Sequence, residues 1–330
     1  MNQPFGQHPL AGTFNRLDPT QLLDAVESSG NRATGSFLAL NSYENRVYQF
    51  DLEDGGRLVG KFYRPGRWTK EAILEEHAFL KELQEREVPV SAPITLQSGT
   101  TLEETLGIYF ALFPSVGGRS PQELSDEQVG VLGRLLGRIH NVGNEKTAHH
   151  RVHLSPESYG RANLDFLLEH DVIPAEIRPH YEQTVEQLLK EITPLFTGVN
   201  MLRIHGDCHL GNLLWPVAGP TFLDFDDMVV GPAVQDIWML TPSFDAEGQR
   251  QRRLLMEAYR MFRDFNEEEL RLIEPLRALR YIHYTAWIGR RWEDPIFKKT
   301  FGHFGDLRYW QQETQDLREQ LGRIMQNTYG

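Results

Sequence analysis

Apolar and polar residues alternate in two short runs early in the chain, "RVYQFDL" at 46–52 and "RLVGKFYR" at 57–64, which flank "EDGG". Alternation of period two marks half-buried strands, and Asp54-Gly55 favours the turn that closes a tight hairpin. The period then lengthens. In "KEAILEEHAFLKEL" the residues Ile73, Leu74, His77, Leu80 and Leu83 recur at helical intervals and predict an amphipathic helix. An earlier helix is punctuated by Asp18 as cap, Pro19 in the first turn, Gln21 to complete a capping box and Gly30 at the end. Prolines break "VPVSAPITL" into extended pieces, and "IYFALF" at 108–113 reads as a buried strand that stops at Pro114.

From Ser125 onward the pattern is mostly helical. Ser125 and Gln128 frame a capping box ahead of an apolar stripe of Leu132, Leu135, Leu136 and Ile139. Helical patterns follow at 246–265, 267–292 and 307–326. The expected fold is therefore α+β and two-lobed: a small strand-rich lobe with one main helix, residues 1–113, and a larger helical lobe, residues 114–330. A chain of 330 residues exceeds the usual single core, which agrees with two lobes.

Composition narrows the function. A net charge of −12 argues against a nucleic-acid partner, because phosphate neutralisation needs a basic face. No stretch of 18 residues is free of charge and apolar enough to span a bilayer, and "MNQPFGQHPLAG" lacks the basic and apolar regions of a signal peptide. The single cysteine, Cys208, rules out an intrachain disulfide and fits a reducing compartment. The expectation is a cytoplasmic monomer with no membrane partner.

The densest chemistry lies in "HGDCHLGNLLW" at 205–215, followed by "FLDFDD" at 222–227. A metallophosphoesterase would use Gly206-Asp207-Cys208-His209 as its first metal motif, but the further Gly-Asp-x-x-Asp and Gly-Asn-His that such a site needs are missing. Phosphoryl transfer from a nucleotide fits better. That reaction needs a carboxylate beside the attacking hydroxyl, an amide and a carboxylate on the metal, and a cation on the donor phosphates. Asp207, Asn212 five residues later, and Asp224 after a short hairpin supply the first three in kinase order. Lys61, mid-strand in "RLVGKFY", supplies the cation. Glu76, fifteen residues on, can hold the lysine in place; Glu75 is the rival, but Glu76 shares the side of Ile73 and Leu80.

"HGDCHLGNLLW", "FLDFDD" and "GPAVQDIWML" resemble the aminoglycoside phosphotransferase and choline kinase-like superfamily. Together with "LNSYENRVYQF", "GKFYRP", "ILEEH", "FALFPSVGGR" and "IEPLRALR", they are similar to the bacterial stress response kinase A (YihE/RdoA-like) family, from about residue 10 to about 310. The resemblance implies a protein kinase-like fold and ATP-dependent transfer to Ser/Thr hydroxyls of proteins, with autophosphorylation. It also implies Asp207 as base, Asn212 and Asp224 as Mg²⁺ ligands, Lys61 and Glu76 as the phosphate clamp, and backbone near Phe113 and Ser115 against the adenine. A small-molecule hydroxyl kinase, or a nucleotide-binding regulator with little catalysis, is the alternative.

Where protein kinases carry a glycine-rich loop, this chain has "NSYENRVY". Ser42, Glu44 and Asn45 can form a tight turn with amides facing phosphate, and Arg46 is a candidate phosphate contact. The gap from Asp224 to Asp236 leaves no room for a long activation segment. Asp236 is expected to brace the loop and His205 to organise it. Cys208 reads as a buried thiol, and "AHHRVH" as a connecting loop rather than a zinc site. Tyr281, Tyr284, Trp287 and Trp292 read as core. Arg277, Arg280, Arg290 and Arg291 could read an acidic acceptor or merely balance an acidic chain.

Overall fold

The computed structural model describes residues 17–326, so the stretch inspected for a signal peptide lies outside the described residues. Helix α1 (Pro19–Ser28) opens with the expected Asp18/Gln21 capping box. Five antiparallel strands follow in spatial order β1-β2-β3-β5-β4: β1 (Ala33–Leu40), β2 (Arg46–Leu52), β3 (Arg57–Phe62), β4 (Glu103–Thr105) and β5 (Ile108–Pro114). The β2–β3 hairpin pairs Val47 with Lys61 and turns through Gly55 at φ +83°. Helix α2 (Lys70–Glu85), capped by Thr69, lies between β3 and β4 in sequence and buries Ile73, Glu76, Phe79, Leu80 and Leu83.

The second lobe is mostly helical. Helix α3 (Asp126–Glu145) starts at the Ser125/Gln128 capping box and packs against α7 (Ala246–Tyr259). Its glycines make the approach possible: a Cβ on Gly133 would stand 2.3 Å from the Leu255 carbonyl oxygen. Helices α4 (Ala162–Glu169), α5 (Arg178–Ile192), α6 (Val234–Leu240), α8 (Ile273–Arg290), α9 (Pro295–Thr300) and α10 (Leu307–Met325) complete the lobe. Two small hairpin-like pairs, β6 (Met201–Ile204) with β9 (Val229–Pro232) and β7 (Leu213–Leu214) with β8 (Thr221–Phe222), frame the dense motif.

Three boundaries differ from the sequence reading. Strand β1 was not expected; it carries "ATGSFLAL", exposed at most positions, and is held by backbone pairing with β2 rather than by a buried face. The pattern at 246–265 is helical only to Tyr259. That at 267–292 begins as a 3-10 turn over Glu267–Leu272, and the α-helix starts at Ile273, so that Pro275, which lacks an N–H, falls in its first turn.

Packing joins the two lobes at the back of the cleft. One apolar cluster takes Ile73, Phe79 and Leu80 from α2, Ala111 from β5, Leu132 and Ile139 from α3, Leu213 and Phe222 from β7 and β8, and Tyr259 from α7. A second cluster, with Leu22, Val26, Phe50, Phe62 and Phe110, lies between α1 and the sheet. Among the described residues no helix is long and apolar enough to cross a membrane.

Candidate active site

The loop after β6 carries His205, Gly206 and Asp207, and its backbone is pinned from below. Asp236, fully buried on α6, accepts hydrogen bonds from His205 N and Gly206 N, both at 2.9 Å, and pairs with His140 Nε2 at 3.1 Å. The His205 ring closes the loop onto the next strand: Nε2–H donates to Leu223 O at 2.8 Å, while Nδ1 accepts from Asp207 N at 3.3 Å. Those partners fix its tautomer. Gly206 has no substitute, since it sits at φ +84° and a Cβ would meet Asp227 O at 2.2 Å. The brace and organiser roles read for Asp236 and His205 thus correspond to specific hydrogen bonds.

Asp207 follows on this loop and does not itself line the cleft cavity, but its carboxylate lies beside Asn212, which does. Asn212, at the end of a 3-10 turn (Leu210–Asn212), donates Nδ2–H to Asp207 O at 2.9 Å and to Asp207 Oδ2 at 3.3 Å. With Nδ2 so committed, Asn212 Oδ1 is the amide atom left for a cation. Arg280 Nη2, from α8, lies 2.7 Å from Asp207 Oδ1, and His209 Nε2 lies 3.3 Å from Oδ2. Burial alone would raise the Asp207 pKa, but His209 and Arg280 outweigh it and hold the carboxyl well below the usual carboxylate range.

Across the cleft, Lys61 on β3 gathers three carboxylates. Its Nζ lies 2.9 Å from Asp224 Oδ1, 3.2 Å from Asp226 Oδ1 and 3.7 Å from Glu76 Oε1. Burial works against the ammonium, yet Asp224, Asp226 and Glu76 together outweigh it and lift the lysine well above its ordinary range. Asp224 sits in the left-handed region at φ +53°, a conformation that costs about 1–3 kcal/mol for a non-glycine residue. Its side chain is half exposed to the cleft. Glu76 is buried and bridges two cations, since Arg151 Nη2 donates to its Oε2 at 2.7 Å. Burial is the larger influence on Glu76 and raises its pKa.

Glu75 does something else. Both its oxygens accept backbone N–H bonds, from His149 at 2.7 Å and from His150 at 2.9 Å, on the protein surface. Glu76→Gln is therefore expected to cut phosphoryl transfer by at least about tenfold through a misplaced Lys61, while Glu75→Gln leaves the rate unchanged. Steady-state rates of the two variants side by side check this; equal losses would remove Glu76 from the clamp.

A cavity of about 420 Å³ lies between these groups. Val47, Val59, Phe113, Leu223 and Phe225 give it apolar walls, and Lys61, Glu76, Asn212 and Asp224 crowd one end. Ser42, Asn45 and Ser115 also line it. A groove of about 800 Å³ between α3 and the β7–β8 turn contains none of these residues. Arg46, read as a phosphate contact, does not line the cavity; its Nη2 lies 4.0 Å from Asp294 Oδ2. Strand parity is the reason, because Val47 and Gln49 point into the cavity and Arg46 falls on the opposite face. Nor are Asn45's side-chain atoms turned to a ligand: Nδ2 donates to Asp226 at 3.2 Å, and Oδ1 accepts from Arg64 N at 3.0 Å.

Sequence reasoning missed a second tier of charge. Arg67 is buried against Asp226 and Asp227, and Arg151 Nη1 donates to Asp226 O at 2.8 Å. Glu44 is buried too; Trp287 Nε1 donates to its Oε2 at 2.6 Å, and Arg291 Nε lies 2.5 Å from the same oxygen. The turn at 41–45 is thereby fastened to α8 of the other lobe. Arg291 thus serves Glu44, and Arg290 donates to Asn163 Oδ1 at 2.6 Å, so neither faces an acceptor. Cys208 is buried, and burial, with Asp236 and Asp207, pushes its thiol pKa well up, which leaves it inert. Trp287 and Trp292 pack on the core as read, but Tyr284 is 44 % exposed and lines a cavity beside Arg280.

Comparison with known proteins agrees with this geometry. The phosphotransferase enzyme family profile matches residues 36–273. Stress response kinase A of Escherichia coli (strain K12) is 43% identical over 311 residues, 94% of each chain. Serine/threonine protein kinase RdoA of Salmonella typhimurium (strain LT2) is 42% identical over the same share. Among solved structures, amicoumacin kinase hAmiN in complex with AMP-PNP, Ca²⁺ and Ami has a similar fold, with a TM-score of 0.75 at 18% identity, covering 94% of this chain and 96% of that one.

Proposed function

The chain belongs to the phosphotransferase enzyme family, and from that premise we propose that it transfers the γ-phosphate of Mg²⁺-ATP to serine and threonine hydroxyls of proteins. The observation that carries the reading is the convergence on one cleft, from both lobes, of Lys61, Asp224 and Asn212, with Lys61 Nζ 2.9 Å from Asp224 and Asp207 hydrogen-bonded to Asn212. The name of the Salmonella relative, a serine/threonine protein kinase at 42% identity, supports the acceptor class.

The geometry supports a role for each group. Val47, Val59, Phe113 and Leu223 offer apolar walls to the adenine, and the backbone of Pro114 and Ser115 lies at the rim. Lys61, aimed by Glu76, neutralises the donor phosphates. Asn212 and Asp224 would hold Mg²⁺, a hard cation that takes few protein ligands and completes its shell with phosphate and water. Once bound, that ion neutralises charge on the transferring group. Asp207 accepts a hydrogen bond from the acceptor hydroxyl and points its oxygen at the γ-phosphorus. As that oxygen bonds to phosphorus, the bridging P–O bond breaks, ADP leaves with the electron pair, and the proton passes to Asp207. Because Asp207 is held ionised, it is available for this at any ordinary pH, and positioning supplies most of the acceleration.

A small-molecule acceptor is the second reading. A cavity lined by Arg280, whose Nη2 reaches Asp207, measures about 350 Å³, the scale of a metabolite site, and amicoumacin kinase shares the fold. Transfer of labelled γ-phosphate from Mg²⁺-ATP separates them, with the enzyme alone, a generic serine/threonine protein, and small alcohols and aminoglycosides as acceptors. Label on protein is the expected result. Label confined to a small molecule would replace the protein acceptor, and no transfer despite nucleotide binding would end the kinase reading.

A further inference from the structure

A cavity bounded by α6 and α8 is lined by Trp238, Arg277, Arg280, Tyr281 and Tyr284, and through Arg280 it adjoins Asp207. It holds two guanidiniums and no carboxylate, in a chain of net charge −12. The two arginines stand three residues apart on α8, so they share a helix face. Arg280 is about one third exposed and reaches Asp207 Oδ1 at 2.7 Å, which places it where an acceptor must enter.

Arg277 is buried, pairs with Glu274 at 3.7 Å, and is held by rings and a carbonyl. Its guanidinium lies over the Trp238 ring at 4.7 Å and the Phe244 ring at 4.0 Å, and Nη2 donates to Pro242 O at 3.2 Å. Its Nε makes no hydrogen bond and lies 3.7 Å from Glu274 Oε2, an oxygen already engaged by Gln320. A guanidinium fixed by rings and a carbonyl keeps its fork geometry for a planar anion.

We propose that this cavity recognises a carboxylate next to the acceptor hydroxyl, so that the preferred acceptor is a serine or threonine flanked by acidic residues. The inference deepens the phosphoryl-transfer reading above and rests on it. An incoming carboxylate gives Arg280 a second partner, drawing it off Asp207 as the hydroxyl arrives. Polycations such as aminoglycosides meet two guanidiniums instead and are disfavoured by like charge.

Peptides identical except for Asp, Asn or Lys on either side of one serine test this. kcat/KM is measured with Mg²⁺-ATP for the wild type, Arg280→Gln, Arg277→Gln and Arg277→Lys. The wild type is expected to favour the Asp peptide over the Asn peptide by about tenfold, the worth of one charge-assisted hydrogen bond. That ratio should collapse toward one in both glutamine variants and partly survive in Arg277→Lys. Because the ratio is taken within each variant, a general loss of activity cannot imitate the result. Equal use of the Asp, Asn and Lys peptides by the wild type would overturn the proposal and leave the kinase reading intact. Labelling of free hydroxy-carboxylates, with no peptide labelled, would instead sink the protein acceptor and keep the anion site. If no acceptor is labelled, anisotropy of a fluorescent Asp peptide with Mg²⁺ and AMP-PNP decides. Weaker binding to both glutamine variants supports the site, and unchanged affinity refutes it.

Discussion

Asp207→Asn is expected to lower the rate of phosphoryl transfer by about 10³-fold while changing ATP affinity by no more than about twofold. The asparagine fills the same volume, and its Oδ1 can still accept the bond from Asn212 Nδ2, now 3.3 Å from the carboxylate. What is lost is the negative charge. The amide can neither take the hydroxyl proton nor sit comfortably beside Arg280, whose Nη2 lies 2.7 Å away. The nucleotide contacts proposed for Lys61, Asn212, Asp224 and the apolar walls are untouched by the change, so ATP affinity is expected to survive. Stability should barely move, because Arg280 is about a third exposed and water can replace its partner; such a pair is worth about 1 kcal/mol or less. Single-turnover transfer and a nucleotide titration on the same preparation check both halves. A variant with more than about a tenth of wild-type turnover would remove Asp207 from the proton's path.

The dense motif could be read from sequence because its constraints are local. Asp207 and Asn212 must share one loop, and five residues with Gly206 at positive φ allow it. Capping boxes at Asp18 and Ser125 were legible for the same reason, since each is written within four residues. The second tier was not legible. Arg67 and Asp226 are separated by 159 residues, and Trp287 and Glu44 by 243, so nothing in either neighbourhood announces the pair. An arginine in a loop reads as solvated until tertiary packing closes over it. Strand β1 hid by the opposite route: its exposed side chains carry no alternation, and its backbone pairing leaves no trace in composition. Arg46 shows how thin the margin is. One residue's shift in parity along β2 turned a reading of phosphate contact into a side chain facing Asp294.

Asp236→Ala should cost the fold on the order of 4 kcal/mol, the penalty for breaking a buried, fully hydrogen-bonded carboxylate site. Asp236 has no exposed surface, and its two oxygens receive His205 N, Gly206 N and His140 Nε2. His140 cannot turn away to another partner, because its Nδ1 already faces the Tyr259 phenol Oη, 2.9 Å away. Alanine therefore strands two backbone N–H groups and one ring N–H in a fully buried site. Asparagine is no rescue: its NH₂ must face one of the same donors, so it too is expected to destabilise, by a smaller margin. Urea unfolding of the three proteins measures the order directly, and a loss below about 1 kcal/mol for alanine would show that the loop does not need its brace. The effect on chemistry should exceed what unfolding explains. Gly206 and Asp207 hang from those bonds, and a displacement of Asp207 by about an ångström is worth about 10²-fold in rate. Folded Asp236→Ala, assayed well below its melting temperature, should therefore bind nucleotide and transfer phosphate slowly, whereas wild-type turnover per folded molecule would reduce Asp236 to a stability residue alone.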